Sequence, residues 1–168
     1  MTDTELQQKR LIAAAIDAGI AIGLGVVTAI VALIAGMISH WLYLLVMLAG
    51  AAAQLAYLLG RDVIAGDRSF GKKTQGIKVV TTSGAPVTLM DSVKRNAILG
   101  IGSAAYLVWV FLSAVIFWVP FLGCLVTLVL WLGSLVGIVA VIIEVVKVIQ
   151  DPAGIRLGDQ FASTRVTR

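Results

Sequence analysis

Asp17, Gln54 and Glu144 are the residues whose types and positions could do chemistry, because each interrupts a stretch made almost entirely of apolar residues. Asp17 lies seven positions past Arg10, about 10 Å further along a helix. An acidic group held in hydrocarbon at a helix centre costs about 2.5–3.5 kcal/mol, so such groups face a bundle interior or a wet cavity. Hydropathy puts Asp17, Gln54 and Glu144 at similar depth. Together they would offer two carboxylates to a cation or proton and an amide to complete coordination, and the paired charges would raise one carboxyl toward neutrality. Each also has a structural reading. Glu144 can pair with Lys147 at i, i+3, Gln54 can bond across helices, and Asp17 can hold a basic residue of a loop. Arg10 and Asp17 stand at i and i+7, but helical side chains lean toward the N-terminus, which carries Arg10 away from Asp17.

Enzymatic chemistry is not expected. His40 is the one histidine and Cys124 the one cysteine, so no metal-ligand spacing, nucleophile triad or phosphate loop arises and no metal or cofactor is implied.

The elements that position these residues follow from composition. A chain 60% hydrophobic and 13% charged lies far from the roughly 25% charged of soluble domains. Its apolar residues fall in blocks at 11–38, 41–59, 97–119 and 121–146, each able to supply the roughly 20 helical residues that cross a bilayer core of about 30 Å. The fold class is therefore an all-α integral membrane protein: a single domain over 1–168, with four spans arranged as two hairpins. The first block is far longer than a signal-peptide core of about 7–15 residues and reads as an uncleaved span.

All Lys and Arg residues fall in three groups: Lys9 and Arg10, a central loop at 60–96, and a tail at 147–168. The positive-inside rule then puts both termini and the loop in the cytoplasm of an inner-membrane protein. The net charge of +4 is explained by that placement, and no nucleic-acid partner is expected. Lys72, Lys73 and Lys78 in the loop would each add about 1 kcal/mol of attraction to anionic lipid.

Within the loop, 76–81 is β-prone, 82–85 has turn chemistry and Pro86-Val87-Thr88 is expected to pair back as an edge strand. Thr88 and Asp91 have capping-box spacing ahead of the third span. Gly19 with Gly23, and Gly133 with Gly137, are GxxxG pairs that allow close helix contact. Trp41, Tyr43 and Trp118 would form an aromatic belt on the far side, with His40 beside them as an interfacial residue.

Three segments resemble the RDD family of membrane proteins. Residues 9–17, from Lys9-Arg10-Leu11 to Ile16-Asp17, are similar to its opening pattern. Ser69-Phe70-Gly71-Lys72-Lys73-Thr74-Gln75-Gly76-Ile77-Lys78-Val79-Val80, followed by Arg95-Asn96, is similar to its central segment, and Gly158-Asp159-Gln160-Phe161-Ala162-Ser163-Thr164-Arg165-Val166 to its closing one. The resemblance makes Arg10, Asp17 and Asp159 the eponymous residues and implies a polar network of Arg10, Asp17, Arg95 and Asp159. Ser163 departs from the family's glycine, and Gly158 from a frequent histidine. The resemblance also implies Na⁺ or H⁺ antiport, which has been associated with some members. The first functional reading is a cation/proton exchanger or transporter subunit using Asp17, built as a homo-oligomer or with a membrane-protein partner. The alternative is a non-catalytic scaffold or accessory subunit whose basic loop recruits a partner protein or anionic lipid.

Overall fold

A computed structural model describes residues 3–116, 120–151 and 155–167. Four helices are long and apolar enough to cross a membrane: α1 (Asp3–Ile38), α2 (His40–Ile64), α4 (Leu89–Ile116) and α5 (Pro120–Gln150). Two short helices, α3 (Phe70–Thr74) and α6 (Leu157–Phe161), and two strands, β1 (Lys78–Thr81) and β2 (Thr164–Thr167), complete the fold. Every long helix whose cap-side end is described runs past its apolar block. The 36 residues of α1 span about 54 Å, so its first turns stand clear of any hydrocarbon layer. Trp118 of the expected aromatic belt lies outside the described residues, and Trp41 is exposed beside His40.

Local chemistry sets the ends. Ser39 alone joins α1 to α2, taking extended backbone and accepting from the Trp41 N–H at 3.3 Å. Thr88 and Asp91 form the expected capping box: the Thr88 N–H donates to Asp91 at 3.0 Å and the Asp91 N–H returns to Thr88 Oγ1 at 3.3 Å. Pro120 opens α5, where its missing N–H costs nothing.

Packing runs α1 on α2, α2 on α4 and α4 on α5. Small residues make the approaches. A Cβ on Gly137 would meet the Gly102 Cα at 2.6 Å, and one on Gly133 the Ala105 Cβ at 3.6 Å, so this GxxxG pair is an α4–α5 contact. Gly19 and Gly23 face open space within the chain. Large apolar side chains such as Ile22, Leu33, Met37 and Leu128 point outward, as they do where lipid is the solvent and packing drives helix association. The largest fully buried side chains are instead Arg95, Ile77, Val79, Asn96, Asp17, Asp62 and Asp159.

The polar segments fold into a cap at one end of the bundle. β1 pairs antiparallel with β2 of the tail, Lys78 opposite Thr167 and Thr81 opposite Thr164, which revises the expected loop hairpin. Its turn does form, with the Thr81 N–H bonded to Ala85 O at 3.0 Å, but Pro86 meets Val80 in one isolated bridge. Proline has no N–H to continue a ladder, so the free edge of β1 takes the tail. Ile77 and Val166 pack on Ala13 and Leu6 of α1, giving the cap a small apolar core.

Candidate functional site

Asp17 is 1% exposed and each of its carboxylate oxygens accepts a hydrogen bond from the segment before β1. The Ser69 hydroxyl donates to Oδ2 at 2.5 Å and the Gly71 N–H to Oδ1 at 2.8 Å. Ser69 caps α3 in turn by accepting from the Lys72 N–H at 3.3 Å. Position 71 requires glycine because a Cβ there would lie 2.1 Å from Ala13 O and 3.0 Å from Asp17 Oδ1. Asp17 thus fastens α3 broadside to α1.

Asp62, near the end of α2, is the second hub. It takes the Lys72 ammonium and, at 2.9 Å, the Asn96 amide, with Arg95 Nε 3.6 Å away. Asn96 bridges outward: its Oδ1 accepts from Arg61 Nε at 3.2 Å and from Arg156 Nη2 at 3.1 Å. Ser92 Oγ accepts from the Asp62 N–H at 3.3 Å and donates to Leu59 O at 2.7 Å, tying α4 to the end of α2.

Asp159 is the third. Arg10 reaches it at 2.6 Å, Arg95 at 2.8 Å and Arg156 at 3.1 Å. Burial opposes its ionisation, but Arg95, Arg156 and Arg10 outweigh that and hold the carboxyl below its ordinary range. Burial likewise works against the Arg156 guanidinium, and Asp159, Asp62 and Glu144 more than restore it. The tail reaches α4 through Gly158, where a Cβ would lie 2.0 Å from Arg95 O, so a larger residue is excluded in this arrangement.

Of the expected cation set, Asp17 and Glu144 line one cavity of about 510 Å³. Gln54 is elsewhere, donating to Ala21 O at 3.2 Å as interhelical glue. Glu144 does not pair with Lys147, which is exposed: its Oε1 accepts from the Gly158 N–H at 2.9 Å, and Arg156 Nε is 3.9 Å from Oε2. The expected network of Arg10, Arg95 and Asp159 is a direct contact cluster, while Asp17 is satisfied separately. Lys72 is buried, so it belongs to the cluster and not to a lipid-facing surface; Lys73 and Lys78 are exposed.

Sequence reasoning gave no role to Arg61, Asp62 and Arg156, and named Ser69 and Asn96 only as parts of the segments that resemble the family. Asn96 follows Arg95 directly and Arg156 stands three residues before Asp159, a capping interval, so those two left a trace. Asp62 left none, since a charge at the edge of an apolar block is ordinary.

A family model described as the RDD family matches residues 7–163. The chain belongs to the RDD family. The match spans all three hubs, among them the Arg10–Asp159 pair between α1 and the tail and Asp17, which holds the central segment. No curated protein and no solved structure matches the chain.

Proposed function

We propose that this RDD protein is a non-catalytic membrane scaffold or accessory subunit, whose bundle holds the cap of loop and tail rigidly at the cytoplasmic face of an inner membrane. One observation carries the reading: each oxygen of Asp17, the carboxylate an exchanger would need free, already accepts from a donor of the chain itself, and Asp159 beside it is held by three guanidinium groups. A carboxylate with its lone pairs committed to N–H and O–H groups offers a cation little, and nearby guanidinium groups repel one. The orientation is supported by the Lys and Arg residues gathered at the cap end. Exposed Lys73 and Lys78 suit an anionic lipid surface.

Cation/proton exchange keeps one supporting observation, the shared cavity of Asp17 and Glu144. Flux decides between the readings. Purified protein in sealed proteoliposomes with a proton gradient should show no sodium- or potassium-dependent proton movement between about pH 6 and 9, a range bracketing ordinary histidine and perturbed carboxyl titration. Exchange by the wild type that Asp17→Asn abolishes would replace the scaffold reading with the transport one.

A further inference from the structure

The helix order leaves a gap. α1 packs on α2, α2 on α4 and α4 on α5, but α1 and α5 form no comparable interface among the described residues. The cavity of about 510 Å³ lies between them, within the size range of small-molecule sites. Its walls are apolar: Ala14, Ala18 and Ile22 from α1 face Val141 and Val145 from α5. Its cap end is charged, lined by Arg10, Arg61, Lys72, Arg95 and Arg156 together with Asp17 and Glu144.

The hydrogen bonds there do not close. Arg95 is 1% exposed, yet its Nε and Nη1 donate to nothing among the described residues, and the buried Glu144 Oε2 accepts nothing. Arg61, 7% exposed, donates to Asn96 and forms no ion pair with a described carboxylate. Buried polar groups left this way are costly unless something meets them.

We propose that the cavity is a binding site for one anionic glycerophospholipid, its phosphate between Arg95 and Arg61, a head-group hydroxyl or amine donating to Glu144, and its acyl chains along the α1–α5 gap. A phosphate supplies the anionic acceptor that guanidinium groups favour. The walls are apolar and the cap end is charged, so a ligand that fills the cavity carries hydrocarbon as well as charge. The proposal rests on the scaffold reading only in taking anionic lipid as a partner; a single enclosed lipid is compatible with either function.

The test is native mass spectrometry of the purified full chain, delipidated in detergent and titrated with phosphatidylglycerol, phosphatidylcholine or inorganic phosphate. One phosphatidylglycerol should bind saturably and at least about tenfold tighter than phosphatidylcholine, the factor one charge-assisted hydrogen bond supplies. Ala18→Phe fills the gap away from the charged cluster and should weaken phosphatidylglycerol by a similar factor while the melting curve stays in place; Arg61→Gln removes a guanidinium that forms no ion pair with a described carboxylate and should weaken it likewise, with any drop in melting temperature set by its lost bond to Asn96. Equal binding of the two lipids, or no response to either variant, would overturn the proposal. Displacement of phosphatidylglycerol by equimolar inorganic phosphate would show a plain anion site and overturn the lipid assignment. Cation flux in proteoliposomes from a protein that still holds one phosphatidylglycerol would remove the scaffold reading and leave this one standing.

Discussion

Replacing Asp159 with Asn tests the cluster at the point where most of it converges. The carboxylate takes charge from Arg10 at 2.6 Å, Arg95 at 2.8 Å and Arg156 at 3.1 Å, and is itself 1% exposed. An amide keeps the shape but cancels the charge and turns one acceptor into a donor facing guanidinium groups. Arg95 would then keep only Asp62, at 3.6 Å. Breaking a buried pair costs about 3–5 kcal/mol, because the remaining charge stays buried without compensation. At about 2–4 °C per kcal/mol for a chain of this size, the detergent melting temperature should fall by roughly 6–20 °C. The loss should fall on the cap, since Asp159 sits in the tail and contributes nothing to the α1–α2 or α4–α5 contacts. Trypsin should therefore cut at Lys73, Lys78 and Arg165 in the variant before the bundle opens. Acid gives a second reading. The folded Asp159 carboxyl lies below its ordinary value, so its contribution is complete above about pH 4 and disappears as pH falls through the lowered folded value; the Asn variant should lack that acid limb. Asp67→Asn, at an exposed turn residue, is the control and should shift stability by no more than about 0.5 kcal/mol. If Asp159→Asn melts and digests like that control, the charge cluster does not hold the cap and the argument is wrong.

Two further substitutions probe backbone geometry. Gly71→Ala should destabilise as severely as a lost buried contact, because its Cβ would lie 2.1 Å from Ala13 O, whereas Gly19→Ala meets nothing within 4 Å and should be neutral in the melting assay. Ser163 sits in the left-handed region at φ 49, which costs a non-glycine residue about 1–2 kcal/mol, so Ser163→Gly should raise the melting temperature by the few degrees that about 0.5–1 kcal/mol supplies once the entropy of glycine is set against it.

The spans were readable because lipid imposes a coarse rule, a long apolar block, that hydropathy detects without reference to partners. The capping box at Thr88 was readable for the same kind of reason: its donors and acceptors lie within four residues. Ser163 shows how far a family pattern can carry a local inference, since the glycine expected there corresponds to a left-handed backbone. The partner of β1 was not legible, because an adjacent turn and Pro86 suggested the local hairpin while the strand that completes the ladder lies more than 80 residues away. The depth argument that joined Asp17, Gln54 and Glu144 used one coordinate, distance along the helix. It could not see that Gln54 turns toward Ala21 while Asp17 and Glu144 face a common cavity.

The three hubs explain why residues so far apart in the chain act together. Asp17 fixes α3 to α1, Asp62 and Asn96 join α2 to α4, and Asp159 ties the tail to both α1 and α4. None of these bonds lies within one helix, so none stabilises a span by itself. Each has value only when the others bring its partner within reach, which makes the cap a cooperative unit. Lys72 displays the coupling most clearly: α3 must be seated by Asp17 before its ammonium can reach Asp62. The separated Arg, Asp and Gly positions of this chain are accordingly the sequence image of one closed knot, with Gly71 and Gly158 at the two crossings where backbones touch.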